Sequence, residues 1–337
     1  MVIRLENKMK KLSLIFLAVS VIVFASCKDK KQKEAEKGFN YASVEIPAFN
    51  ADSAFAYVKN QCDFGPRVPE SKAHKACGDY LVAFFKQYAD TVIEQNFTSK
   101  LYNGKPVKGR NIIVSFNLAS TDRALFSAHW DSRAWADNDS DEKNHKTPII
   151  GANDGASGVG VLMEMARCLK AKPTSIGVDI VLFDVEDQGC PEWDETDIED
   201  QSDWCLGSQH WAKNLHIPFY QANYGILLDM VGYSNPLFVK ESQSMYYAPS
   251  IMNKVWQIAK DKGYGNMFSD EQIGGVMDDH IWVNKYAKIP MIDIVQYDPA
   301  GSFFPYWHTV KDDINCISKN TLKAVGDVCL VAIYSAS

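Results

Sequence analysis

Five short runs are mostly apolar: residues 111–116 (NIIVSF), 124–129 (ALFSAH), 178–185 (VDIVLFDV), 225–231 (GILLDMV) and 290–295 (PMIDIV). They are rich in Val, Ile, Leu and Phe and too short for helices, which predicts strands buried on both faces. Between and after them the period changes. From Gly158 to Lys170, apolar side chains recur as Val159, Leu162, Met163, Ala166 and Leu169. This is one helical stripe. Residues 250–262, 279–286 and 318–334 follow the same pattern. Strands alternating with helices predict an α/β fold: a mostly parallel, twisted central sheet flanked by helices on both faces.

The N-terminus breaks this pattern. Lys8, Lys10 and Lys11 precede an apolar run from Leu12 to Ala25 that ends in Ala25-Ser26-Cys27. The run is shorter than the about 20 residues a membrane-spanning helix needs and fits a signal peptide. Small residues before a cysteine resemble a bacterial lipobox. The expected organisation is therefore a signal peptide over 1–27, a charged tether over 28–45 and one catalytic domain over 46–337. Cys27 would anchor an exported protein to the membrane on the periplasmic side. Apolar residues make up 46% of the chain, enough for a large core. The formal net charge is −7, and residues 1–37 are basic on balance, so the domain is more acidic still. Such a surface argues against nucleic acid and suits a cationic ligand. Seven cysteines remain beyond Cys27. In an exported chain Cys190 and Cys205 are the expected disulfide, Cys62 and Cys77 a second candidate pair, and Cys168 a core residue.

Polar residues collect where the strands end. His129, Asp131, Glu186, Asp187 and Asp229 all lie at or just past a predicted carboxyl end, the edge at which open α/β sheets bind ligands. Asp154, in GANDGASG, precedes a helical stripe and reads as an N-cap or a ligand. The neighbouring carboxylates Glu186 and Asp187 require a cation or a proton, unless they form a surface turn. Near a strand end, successive side chains point to opposite sides, so the two are expected to face different partners. His308 in FFPYWHT is a packed core residue or a metal ligand. With two carboxylates it would complete a three-ligand zinc site with an open position. No local HExxH or CxxC spacing is present.

GPRVPES (65–71), SAHWDS (127–132), GANDGASGV (151–159), Glu186-Asp187, LLDMVG (227–232) and WHT (307–309) stand in the order found in the two-metal zinc aminopeptidases. The chain resembles that superfamily over roughly residues 50–335. Other features are similar to the glutaminyl-peptide cyclotransferases: Trp307 directly before His308, Asp278-Asp279 after GGVM, Trp193 downstream of Glu186, and Phe304 as an apolar wall. The resemblance implies a zinc aminopeptidase-like fold and a single zinc per chain held by Asp154, Asp187 and His308. It implies that Glu186 is the acid/base, that Asp229 and Asp278 form a hydrogen-bonded carboxylate pair beside the substrate amine, and that Trp193, Phe304 and Trp307 bind substrate. The implied substrate is a peptide or protein with N-terminal glutamine, which becomes pyroglutamate with loss of ammonia. His129 is a ligand in the two-metal peptidases but not in the cyclases. Two features depart from the animal cyclases: Asp187 stands where their second glutamate does, and the loop after Trp193 is longer and acidic. The alternatives are a two-zinc aminopeptidase using His129, Asp154, Asp187, Asp229 and His308, and a peptide-binding lipoprotein without activity.

Overall fold

The computed structural model describes residues 39–194, 196, 201–297 and 302–336. The expected signal peptide, Cys27 and most of the tether lie outside the described residues, as do Glu195, Asp197, Glu199 and Asp200 of the acidic loop. From Tyr41 onward the chain forms one compact unit.

In chain order the elements are helices α1 (Ala51–Asp63) and α2 (Lys72–Phe85), strands β1 (Thr91–Lys100), β2 (Pro106–Phe116) and β3 (Arg123–His129), helix α3 (Ala156–Ala171), strand β4 (Gly177–Phe183), helix α4 (Leu206–Lys213), strands β5 (Tyr224–Asp229) and β6 (Phe238–Glu241), helices α5 (Ser242–Tyr247) and α6 (Pro249–Asp261), strand β7 (Phe268–Ile273), helix α7 (Asp279–Trp282), strand β8 (Met291–Val295) and helix α8 (Lys319–Tyr334). Side-chain caps start several of them: Asn50 accepts from the Ser53 N–H, Ser71 from His74 and Ser318 from Thr321, each satisfying a backbone donor that the first turn leaves open.

Six strands form the main sheet in the order β1-β2-β4-β3-β5-β8, with β6 and β7 as a separate parallel pair. β2 is antiparallel to both its neighbours, while β4, β3, β5 and β8 are mutually parallel. Alternation along the inner strands sends side chains to two cores. Ile112, Phe126, Ile180, Leu182, Leu228 and Ile292 pack with α1, α3 and α8 on one face. Ile113, Leu125, Val181, Phe183, Leu227 and Met291 pack with Trp211 of α4 and Val283 on the other. Each such fully buried side chain contributes about 1.5–3 kcal/mol. α3 lies directly on β5, because a Cβ on Gly158 would come within 2.2 Å of the Leu228 carbonyl oxygen. Strand register aligns the carboxyl ends: His129 is opposite Phe183, and Asp229 is opposite Val295.

Candidate active site

At these aligned ends the backbone turns sharply. Val185, Cys205, Met230 and His308 all have positive φ, at 57°, 57°, 49° and 54°. That conformation is costly for non-glycine residues, and for a β-branched valine most of all. Glu186 and Asp187 therefore lie past the end of β4, not within it. The left-handed turn at Val185, rather than strand alternation, separates their side chains. Gly155, at φ 94°, opens α3 without a side-chain cap. A Cβ there would meet the Asp131 carbonyl oxygen at 2.8 Å and the His129 ring at 2.9 Å. Asp154 is thus not the N-cap, and its carboxylate turns into the site.

Asp154 joins two groups of donors. One of its oxygens lies 3.0 Å from His129 Nε2, which is also 3.2 Å from Asp229. The other lies 3.5 Å from His308 Nε2, which is 3.0 Å from Asp187. The sets His129–Asp154–Asp229 and Asp154–Asp187–His308 are each close enough to hold a metal ion. Asp154 Oδ2 and Asp187 Oδ2 are buried and find no hydrogen-bond donor. Two unpaired carboxylate oxygens beside a histidine nitrogen are costly without a cation, so the donor set Asp154–Asp187–His308 fits zinc. Burial and the charge of Arg133 push the His308 imidazole down to about 3, which keeps it neutral, as a ligand must be. Burial works the other way on His129, but its bonds to Asp131, Asp154 and Asp229 hold it well above its ordinary value.

Surrounding groups fix this arrangement. Asp131 accepts from the N–H groups of Glu186 (3.0 Å) and Asp187 (3.3 Å) and from the Gln188 amide (3.1 Å). Asp312 accepts from the N–H groups of Asn153 (2.7 Å) and Asp154 (3.0 Å). Asp137 stands 3.6 Å from His308 Nδ1 and binds the buried Arg133, whose guanidinium also reaches the Asp187 carbonyl at 3.2 Å. Arg67, from the GPRVPES run, donates to the carbonyls of Trp130, Ile150 and Gly151. It ties the His129 and Asp154 loops together.

These groups floor a cavity of about 50 Å³. Glu186, Asp229 and Asp278 complete its polar base; Trp204, Met230, Val276, Met277, Phe303 and Trp307 wall it. Burial, then the charges of Asp187 and Asp278, raise Glu186 well above the carboxylate range. Burial, with the charge of Asp278, takes Asp229 to about 8. A larger cavity, of about 380 Å³, lies around Arg123, Asp179 and Tyr220 at the other edge of the sheet. Its charged groups are satisfied by one another, Asp179 taking both the Arg123 guanidinium and the Tyr220 hydroxyl.

Asp154, Glu186, Asp187, Asp229, Asp278, Trp307 and His308 meet as expected from the sequence. Three expectations need correction. Trp193 is 40% exposed and packs against Trp135 and His145 outside the cavity. The wall is Trp204 instead, its ring parallel to His308 at 6.1 Å. Phe304 is buried against Tyr233 in the core, and its neighbour Phe303 faces the cavity. Asp229 and Asp278 share the cavity, but each takes another partner: Asp229 bonds His129, and Asp278 caps α7 through the Asp279 N–H at 2.5 Å. The cysteines also differ from expectation. Cys62, Cys77, Cys190 and Cys205 are free thiols, whereas Cys168 is buried in the core as expected. Hydrogen bonds close the loop that a disulfide was expected to close: Cys190 N–H to Asp203 (2.7 Å) and Cys205 N–H to the Glu186 carbonyl (2.9 Å). The Cys205 thiol instead points to Glu186 Oε1, at 3.2 Å.

The sequence matches the family model of peptidase family M28 over residues 111–333. A glutaminyl-peptide cyclotransferase of Dictyostelium discoideum is 26% identical over 95% of both chains. The crystal structure of Bacteroides thetaiotaomicron glutaminyl cyclase bound to N-acetylhistamine is 50% identical, with a TM-score of 0.84 over 86% of this chain and 99% of that one. That of a Zn-dependent exopeptidase from Parabacteroides distasonis is 49% identical, with the same TM-score and the same shares covered.

Proposed function

The chain belongs to peptidase family M28, and from that premise we infer that it is a glutaminyl cyclase, converting N-terminal glutamine of peptides and proteins to pyroglutamate and ammonia. The observation that carries this reading is the form of the cavity. Trp204, Trp307 and Phe303 wall a small cavity over Glu186, which suits one compact side chain folded back on its own amine.

Asp154, Asp187 and His308 would hold one zinc ion, which when bound supplies Lewis-acid polarisation of the γ-carboxamide. The second donor set is tied together by direct contacts: His129 Nε2 lies 3.0 Å from Asp154 and 3.2 Å from Asp229. Asp229 and Asp278 lie where they can receive the α-ammonium group. In water such a group loses its proton near pH 7.7–8.0, roughly neutral, so its deprotonation is inexpensive. The neutral amine forms the new C–N bond at the γ-carbon, Glu186 takes the proton that this nitrogen sheds, and Glu186 returns it to the amide nitrogen as the γ C–N bond breaks and ammonia leaves. The apolar walls hold the reacting atoms in near-attack geometry and keep water out.

A two-zinc aminopeptidase is the second reading, favoured by the two donor sets that share Asp154. Incubation with a Gln-initiated peptide separates the two. Ammonia loss with one zinc per chain supports cyclisation; free glutamine with two zinc ions per chain overturns it. Residues 1–27 are proposed as a signal peptide ending at a lipidated Cys27, with residues 28–45 as a tether to the periplasmic side of a membrane.

A further inference from the structure

A third group of donors borders the cavity and shares no residue with Asp154, Asp187 or His308. Ligand atoms of Glu186, Cys205 and Asp278 all lie within 4.8 Å of one another. All three are buried, Cys205 completely. The left-handed backbone at Cys205 and its N–H bond to the Glu186 carbonyl bring the thiol to 3.2 Å from Glu186 Oε1. Asp279 adjoins them. It is fully buried, neither of its carboxyl oxygens has a hydrogen-bond partner, and its charge bears on both Glu186 and Cys205. The expected disulfide would have consumed this thiol; its freedom leaves one sulfur and two carboxylates around a single point, open to the cavity on the side of Glu186 and Asp278.

We propose that Glu186, Cys205 and Asp278 form a second, inhibitory site for a thiophilic dication such as Zn²⁺ or Cd²⁺. Sulfur with two carboxylates is a borderline-to-soft donor set, suited to these ions and poor for Mg²⁺ or Ca²⁺. Binding exchanges protons for metal. The hydrated ion enters, the thiol proton and any carboxyl proton leave to solvent, and no oxidation state changes. The ion then occupies the lone pairs with which Glu186 moves protons, so turnover stops although the first zinc remains in place. That consequence rests on the cyclase reading; the binding itself does not.

The test titrates the full chain, carrying its first equivalent of zinc, with Cd²⁺. The site predicts that a thiolate-to-cadmium charge-transfer band saturates near one added equivalent while ammonia release falls along the same curve and the first zinc is retained. Mg²⁺ and Ca²⁺ should do neither. In Cys205→Ala and Cys205→Ser the band should vanish and the inhibition constant, taken against each variant's own activity, should rise at least about tenfold. Four results overturn the site: a band that persists in both variants, inhibition unchanged in both, inhibition that tracks release of the first zinc, or a band without inhibition. If the untreated enzyme releases no ammonia, the cyclase reading fails, and the band in wild type and variants still decides whether the site exists.

Discussion

Glu186 and Asp187 are adjacent and chemically alike, yet they meet different neighbours. Asp187 stands 3.0 Å from His308 and has one wholly unpaired oxygen, the position of a ligand. Glu186 borders the cavity, receives the Cys205 thiol and has its carboxyl pKa raised well above the ordinary range by burial and nearby carboxylates, the position of a proton carrier. Glu186→Gln is therefore expected to keep zinc while turnover falls by about 100- to 10,000-fold, the usual contribution of general acid–base catalysis. Asp187→Ala should arrive without zinc, and added zinc should restore little activity. Zinc stoichiometry and ammonia release measured on both variants check the assignment. A zinc-free Glu186→Gln beside a zinc-bearing Asp187→Ala reverses it. The sequence marked these two residues because paired carboxylates at a strand end are unusual. The resemblance assigned Glu186 the proton and Asp187 the zinc; what the sequence could not show is the left-handed turn at Val185 that precedes them.

At the scale of elements, the reach of the sequence follows from burial. β2, β3, β4, β5 and β8 are covered on both faces, and their apolar runs announce them. β1 mixes exposed and half-buried positions, so no apolar run marks it, and helices α1 and α2, as amphipathic as α3, went unread. Nor does composition show that β2 runs against its neighbours. The ligands were legible because they sit at element ends. The two tryptophans of the acidic loop were not distinguishable, since which one reaches the cavity is decided by how Cys190, Asp203 and Cys205 close that loop. The same logic gives Asp131 a measurable role. It gathers three donors from residues 186–188 at the end of β4. Asp131→Ala should leave the ligands in place but loosely held, weakening zinc binding by about 10- to 100-fold; a competition titration with a zinc chelator reads this, and unchanged affinity would contradict it. Glu241 does the corresponding work for α5. It accepts from the N–H groups of Gln243 and Ser244, from Val276 at 3.3 Å, and lies 3.3 Å from His280. Burial would raise its pKa, but His280 and these donors bring it from 4.5 down to about 2. A folded pKa below the unfolded one stabilises the fold above about pH 4.5, and the stabilisation is lost as pH falls toward 2; the shift corresponds to about 3 kcal/mol. Glu241→Gln should therefore melt lower than wild type at pH 6, with the gap narrowing toward pH 3. A gap independent of pH would remove Glu241 from the account.

For the whole molecule, what matters is where the chain enters the domain relative to where it does its chemistry. Every group of the proposed site lies at or beyond the carboxyl ends of β3, β4 and β5, or on the loops that meet them. The entering segment passes the opposite edge. Lys172, just past the end of α3 and before β4 begins, donates to the Glu45 carbonyl at 3.0 Å, and the Tyr334 hydroxyl at the end of α8 binds the Lys172 carbonyl. Glu45, near the start of the domain, thus lies away from the cavity. Among the described residues no helix is long and apolar enough to cross a membrane, and the proposed anchor is Cys27. Cys27→Ser should move the protein from the membrane fraction to the soluble fraction. Its kcat/KM toward a short Gln-initiated peptide should equal that of the detergent-solubilised wild type, because Cys27 is not among the residues of the proposed site. Intact-mass analysis of wild-type protein extracted from membranes supplies the decisive reading. An added diacylglycerol and acyl mass on a chain beginning at Cys27 bears out the anchor, and an unmodified Cys27 excludes it.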